Sequence, residues 1–227
     1  MLSLCAFFLA LCSIAYELLL GQTLSAFLGN TVLRYSVTIG LYMMSMGVGA
    51  LFARRKILEY PLRSLQYVEL ALSLLGGLSL SFLFLVYSLG LDGVGFSVLA
   101  HFLIIVIGVL TGLELPLLFS VARAAKGTER SIILGIDYIG AFAGTLLFAF
   151  VLYPELGLFP SCFLVASVNA VVGLMLLQFH RSSGIEKELH ISHKILGWQA
   201  LVLVACLSAY LYSDLIHSFW LGIYTSG

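Results

Sequence analysis

Two acidic residues, Glu114 and Asp137, stand inside long apolar runs, where an ionisable side chain is costly and is therefore a candidate for function. Glu114 lies nine residues before Arg123, and Asp137 lies seven residues after Arg130. If both runs are helical, the two carboxylates lie about 10–14 Å from the basic segment between them, at matching depth on adjacent helices. Such a pair could receive a proton or an organic cation. The alternative is that each carboxylate hydrogen-bonds a neighbouring helix.

Glu17 is a third acidic residue within an apolar run, and it is the third candidate for binding a substrate. At helical rise it lies about 22 Å into the first run, where an unpaired carboxylate needs a proton or a partner. Arg34 is the nearest cation in sequence. We therefore predict a Glu17–Arg34 ion pair closing the first hairpin, with a structural role at least as plausible as a ligand role.

Small residues and a proline accompany these carboxylates. Gly108 and Gly112 are four residues apart in the run of Glu114, as are Gly140 and Gly144 in the run of Asp137. Such pairs let a second helix backbone approach closely, so we assign these glycines a structural role. Pro116 removes a backbone donor beside Glu114 and predicts a kink there.

Glu69 is predicted to be an interfacial carboxylate at the start of the third apolar run, because it follows Arg63 by six residues. It begins a stripe at four-residue spacing, which is expected to face another helix. The stripe comprises Glu69, Ser73, Gly77 and Ser81.

The elements that hold these residues follow from composition. Hydrophobic residues make up 61% of the chain, charged residues 10%, and the mean hydropathy is +1.11; soluble domains carry about 25% charged residues. The prediction is an all-α, polytopic integral membrane bundle of about seven transmembrane helices. Residues 1–212 form this domain, and residues 213–227 form an interfacial C-terminal tail rich in aromatics. The predicted spans are 2–24, 35–53, 65–89, 94–121, 131–153, 159–179 and 195–212, with short connections such as 90–93 and 154–158.

Basic residues give the orientation. Apart from Arg34, all Lys and Arg residues lie in three segments between apolar runs, and basic loops stay in the cytoplasm. With seven spans, these segments and the N-terminus share the cytoplasmic face, and the C-terminus lies outside. The three segments contain Arg54, Arg55, Lys56 and Arg63; Arg123, Lys126 and Arg130; and Arg181, Lys187 and Lys194.

Several functional classes find no support in the residues. The chain has no GxGxxG, GxSxG, P-loop or HExxH motif, and no two histidines stand at ligand spacing within the apolar runs. Cys5, Cys12, Cys162 and Cys206 are predicted to be buried hydrophobes. We therefore assign no catalytic residue, no metal site and no cofactor. With a net charge of zero and no basic aromatic patch, we expect no nucleic-acid partner.

Three ordered stretches resemble the membrane domain of bacterial membrane-bound spermidine synthase-like proteins. The first is YELLLGQ at 16–22, with LGN at 28–30, YS at 35–36 and GLYMMSMGVG at 40–49; the second is GLELPLL at 112–118; the third is DYIGAFAGTLLF at 137–148, with PELGL at 154–158. The resemblance implies a bundle of about seven helices preceding a polyamine aminopropyltransferase domain. It also implies a location in the bacterial inner membrane. The glycine-rich S-adenosyl-binding turn and paired aspartates of that domain are not in this sequence. If Gly227 ends the protein, we expect it not to transfer an aminopropyl group itself.

Two functions therefore stand as expectations. The first is a non-catalytic membrane module of a spermidine synthase-like protein, which anchors or partners an aminopropyltransferase domain and senses or passes a cationic amine. The alternative is a small proton- or polyamine-coupled transporter. The expected partners are the lipid bilayer, an aminopropyltransferase-like protein or domain, and a polyamine.

Overall fold

This computed structural model describes residues 1–90, 93–125, 129–183 and 193–226, and the regular secondary structure of these residues is helical. The all-α prediction is confirmed for these residues. Lys126 and Lys187 lie outside them, as does part of the predicted 90–93 connection. The elements are α1 (Leu2–Leu28), α2 (Thr31–Phe52), α3 (Arg55–Leu58), α4 (Pro61–Ser88), α5 (Gly93–Ala124), α6 (Arg130–Leu147) continued by a π-helical segment (Phe148–Leu156), α7 (Leu158–Ser183), α8 (His193–Leu211) and α9 (Ser213–Ser226).

Six helical stretches of the described residues are long and apolar enough to cross a membrane: α1, α2, α4, α5, α6 with its π-helical continuation, and most of α7. The predicted seventh span differs. Residues Ile195–Leu211 of α8 meet the length and composition requirements only together with Ser213–Trp220 of α9, and the two parts are bent by 70°. The tail predicted to be interfacial is thus a helix set at an angle to α8.

The first helix is the centre of the bundle. α1 is the most enclosed of the span-length helices, and it packs against α2, α5, α6 and α7. α2 lies along α5, α6 lies along α1, α4 lies between α5 and α7, and α8 lies against α7 and α4. α2 and α6 bury the smallest share of their surfaces, and exposed apolar side chains cover their outer faces.

A two-residue turn joins α1 to α2. Gly29 and Asn30 both have positive φ, 66° and 51°, which is readily adopted by glycine and tolerated by asparagine. The Asn30 side chain accepts a hydrogen bond from the backbone N–H of Leu33 at 3.3 Å and so caps α2. This turn explains the LGN sequence at 28–30.

The end of the fifth span differs from the prediction. The loop expected at 154–158 is helical as far as Leu156, and the helix passes through Pro154. Proline has no N–H to donate and clashes with the carbonyl four residues earlier in an α-helix. The wider π-helical winding between Phe148 and Leu156 accommodates it. Gly157, at φ 82°, then turns the chain into α7.

Candidate functional site

A cavity of about 380 Å³ lies between α1, α2, α5 and α6. The three predicted substrate-binding residues, Glu17, Glu114 and Asp137, all line it. Apolar and small side chains form most of the remaining wall. The other lining residues are Ala10, Ser13, Ile14, Met46, Gly47, Ala50, Thr111, Gly112, Leu115, Pro116, Phe119 and Ala141.

One side of the cavity is built by the close approach of α2 to α5. A methyl group added to Gly112 would collide with backbone atoms of Met46, and one added to Gly108 would meet Ser45 and the Tyr42 backbone. Gly49 of α2 is likewise in direct contact with the backbone of Val109. Small residues on both helices therefore bring the Glu114 segment against α2.

The opposite side depends on the approach of α6 to α1. Gly140 packs against the backbone of Phe7, and Gly144 packs against the backbone of Leu11. Asp137 lies one turn before Gly140, on the face that these glycines turn toward α1. The structure therefore places Asp137 at the cavity because the glycine pair sets the rotation of α6.

The three carboxylates are spread along the cavity. From the ends of their helices on the basic side, Asp137 lies about 10 Å deep, Glu114 about 15 Å and Glu17 about 22 Å. Glu17 and Glu114 are each 6% exposed, and Asp137 is half-buried. No Lys, Arg or His of the described residues lines the cavity. The site is thus an acidic cavity within mostly apolar walls.

Tyr42 fixes three helices behind this cavity, and the sequence analysis did not single it out. Its buried hydroxyl donates to the carbonyl oxygen of Ser13 at 3.1 Å. It is also 2.9 Å from Thr111 Oγ1, which acts as the donor because the tyrosine proton is already engaged. The signal for this role is a tyrosine embedded in the small-residue run of α2.

Pro116 lies inside α5 and forms part of the cavity wall. α5 remains one helix through Pro116 to Ala124, and the predicted kink stays a prediction. Because proline lacks an N–H, the carbonyl of Gly112 has no partner four residues later in the helix. Gly112 and Pro116 both line the cavity.

Glu69 corrects the sequence analysis most directly. It was predicted to be interfacial, but the structure buries it completely. α4 begins at Pro61, so Glu69 lies about 12 Å along the helix and not in its first turn. It lies on α4 at a depth similar to that of Glu114 on the packed neighbouring helix α5, and the two buried carboxyl groups interact electrostatically. Neither carboxyl oxygen of Glu69 has a donor among the described side chains.

The predicted Glu17–Arg34 ion pair is wrong. Arg34 lies in the first turn of α2, whereas Glu17 is 11 residues before the end of α1, about 16 Å away along the helix axis. Among the residues that the structure describes, the Nε of Arg34 has no hydrogen-bond partner, and Glu17 faces the cavity instead. The Gln22 amide, one turn nearer that end, bonds Tyr35 and Tyr153 there.

The cavity and its walls define a class of protein: an all-helical bundle of span-length helices that encloses an internal acidic site. Within the described residues, no group of three His, Cys, Asp or Glu side chains has the arrangement of a metal site. The four cysteines are buried free thiols. Carboxylates within apolar walls can hold protons or an organic cation.

Several curated proteins are similar to this chain over most of its length. Polyamine aminopropyltransferase 2 of Ralstonia nicotianae is 36% identical over 221 residues, which are 94% of this chain and 42% of that protein. Polyamine aminopropyltransferase 1 of Streptomyces coelicolor is 34% identical over 221 residues, 94% of this chain and 40% of that protein. The polyamine aminopropyltransferase of Leptospira interrogans is 36% identical over 166 residues, 72% of this chain and 32% of that protein.

The chain therefore spans about two-fifths of the length of these curated relatives. No family model matches the chain, and no solved structure matches it. The names of these relatives agree with the spermidine synthase-like family that the three ordered stretches resemble. Glu17, Glu114 and Asp137 belong to those stretches, whereas Glu69 does not.

Proposed function

We propose that this chain is a non-catalytic membrane module of a polyamine aminopropyltransferase-like protein. It lies in the bacterial inner membrane as a multi-pass bundle with its N-terminus in the cytoplasm. It anchors or partners an aminopropyltransferase domain and receives a cationic amine in the cavity between α1, α2, α5 and α6. The observation that carries this proposal is the convergence of Glu17, Glu114 and Asp137 on one cavity.

The chemistry of the cavity supports an amine of a particular shape. Linear polyamines alternate ammonium groups with short methylene runs. The cavity offers both kinds of partner, because carboxylates at three depths share it with apolar side chains such as Ile14, Leu115 and Phe119. Ammonium–carboxylate hydrogen bonds are stronger than neutral ones, and the apolar wall favours burial of the methylenes.

Membrane insertion is supported by the outer helices. α2 and α6 have the length to cross the hydrocarbon layer, and their exposed faces carry apolar side chains. Examples are Met43 and Leu51 on α2, and Ile139 and Phe142 on α6. Water is a poor solvent for such surfaces, whereas lipid is a suitable one. The basic residues at Arg54, Arg123 and Arg130 favour a cytoplasmic location for that end of the bundle.

Spermidine binding to the purified chain in nanodiscs tests the proposal. Isothermal titration calorimetry is expected to detect binding in the wild type and weakening in Glu114→Gln and Asp137→Asn. Loss of one charged hydrogen bond removes about 1.5–3 kcal/mol, which is roughly a 10- to 150-fold rise in Kd. Glu155→Gln is the matched control, since Glu155 is exposed and does not line the cavity. Absence of binding in the wild type, or equal weakening by the control, contradicts the proposal.

A small proton- or polyamine-coupled transporter is the second candidate. Glu69 favours it, because this carboxyl extends the acidic site from the cavity into the bundle interior. Uptake of radiolabelled spermidine into proteoliposomes separates the two functions. A module that anchors and senses binds spermidine without accumulating it, whereas a transporter accumulates it and loses accumulation in Glu114→Gln.

A further inference from the structure

Glu69 and Glu114 are two buried carboxyl groups that lie at similar depth on the packed helices α4 and α5. Glu69 has no exposed surface, and both of its carboxyl oxygens lack a donor among the described side chains. The neighbouring titratable group is the carboxyl of Glu114, which lines the cavity and is 6% exposed. Two interacting ionised carboxylates repel each other, and a buried charge without a donor is costly.

One proton shared by the pair removes the repulsion between the carboxylates and supplies a donor for the buried charge. A protonated carboxyl donates one hydrogen bond, and the ionised partner accepts it, so the pair carries one negative charge instead of two. The surroundings of the pair do not supply a cation. No Lys, Arg or His of the described residues lines the cavity that Glu114 faces. The titratable groups that interact electrostatically with the pair are Cys5, Cys12 and Tyr16 of α1, Tyr42 of α2 and Asp137 of α6.

Packing limits how the pair exchanges that proton. Glu69 is completely buried, its helix α4 packs against α5 and α7, and Tyr16 of α1 lies directly against Gly76, two turns further along α4. Glu114 reaches the cavity, whereas Glu69 does not line it. A proton on Glu69 therefore leaves or enters through Glu114.

We propose that Glu69 and Glu114 hold one shared proton inside the bundle, and that an ammonium group binding at Glu114 displaces this proton to water through the cavity. The exchange part rests on the proposed amine-binding function; the shared proton does not. In the step, the carboxyl O–H bond breaks, its electron pair stays on the carboxylate, and water accepts the proton. The pair then carries two negative charges, and the ammonium group neutralises the additional one.

Infrared spectroscopy of the amine-free protein tests the shared proton. A protonated carboxyl has a C=O stretching band that a carboxylate lacks, and this band is expected in the wild type. Glu69→Gln is expected to remove or shift it, since the glutamine amide donates to Glu114 and leaves it ionised. Glu155→Gln is the control and leaves the band unchanged. A spectrum of Glu69→Gln that is identical to the wild type in this region overturns the shared proton.

Carbodiimide labelling keeps the test available if Glu69→Gln does not fold. Dicyclohexylcarbodiimide, an apolar reagent, reacts with protonated carboxyl groups in apolar surroundings. Mass spectrometry of the wild-type protein is expected to find the adduct on Glu114 or Glu69 and to find none on the exposed Glu155. Absence of any adduct on both members of the pair contradicts the shared proton.

Proton counting tests the exchange separately. Spermidine is added to the weakly buffered protein, and a pH indicator reports about one proton released per bound amine, because the pair holds one shared proton. The ratio of protons to bound amine is expected to fall to zero in Glu69→Gln. Spermidine binding without proton release contradicts the displacement of the shared proton by the amine and leaves the proposed function standing. An infrared band without any spermidine binding contradicts the proposed amine-binding function and leaves the shared proton standing.

Discussion

Gly112 is the position at which the fold should be least tolerant of a single methyl group. Its Cα faces α2, where an added Cβ would overlap the backbone oxygen of Met46 and would lie 2.7 Å from both the carbonyl carbon and the Cα of that residue. All three contacts are backbone atoms, so no side-chain rotation relieves them. Gly112→Ala must therefore push α2 and α5 apart along the wall of the acidic cavity.

The expected loss follows from two opposing effects. Overpacking a well-packed interface costs about 1–3 kcal/mol, and rigid backbone neighbours favour the upper end of this range. Replacing a helical glycine by alanine gives back about 1 kcal/mol through helix propensity. We therefore expect Gly112→Ala to lower the free energy of unfolding by about 2 kcal/mol.

Gly135→Ala is the matched control. Gly135 is also helical, but it is exposed on α6, and an added Cβ would meet nothing within 4 Å. This variant should gain up to about 1 kcal/mol, so the two alanines should differ by about 3 kcal/mol. Unfolding in mixed micelles of mild detergent and sodium dodecyl sulfate, followed by circular dichroism, measures the difference. Equal stability of the two variants would refute the close backbone contact between α2 and α5.

Two further predictions concern single polar groups. Tyr42→Phe removes the hydroxyl that bonds Ser13 and Thr111, and it should lower the free energy of unfolding by about 1–3 kcal/mol because buried partners are left unsatisfied. Tyr16→Phe should be neutral or stabilising, since the buried Tyr16 hydroxyl has no partner among the described residues. The same unfolding assay compares them, and a costly Tyr16→Phe would show that this hydroxyl is bonded. Asn30→Ala should cost about 1 kcal/mol or more through loss of the α2 cap at a positive φ, while Asn30→Gly should cost only a few tenths. Equal losses for both Asn30 variants would place the cap elsewhere.

The sequence was sufficient for six of the seven predicted spans and for bringing Glu114 and Asp137 together. Apolar runs separated by basic segments mark the helices, because lipid-length burial requires them. Counting residues from Arg123 and Arg130 placed Glu114 and Asp137 at similar depth, and the glycine pairs indicated which faces meet other helices. These are local properties, and hydropathy and helical periodicity report them well.

The errors arose where tertiary packing determines the depth of a side chain, its partner or the end of a helix. Glu69 was judged by its distance from Arg63, but Pro61 starts α4 a full turn earlier and moves Glu69 into the interior. Arg34 was paired with Glu17 because it is the nearest cation in sequence, although the length of α1 separates the two. Pro154 was expected to end a helix, and a π-helical winding carries the chain through it. No periodicity in the sequence reveals which carboxyl meets which across helices.

The central position of α1 has a consequence for biogenesis. The ribosome makes α1 first, yet the neighbours that enclose its Glu17 face, α5 and α6, begin only at Gly93 and Arg130. During the intervening synthesis, the most enclosed helix of the finished protein has its acidic face uncovered. Assembly of the native bundle therefore has to await the second half of the nascent chain, and a ribosome stalled before Arg130 would release a product with this face still open.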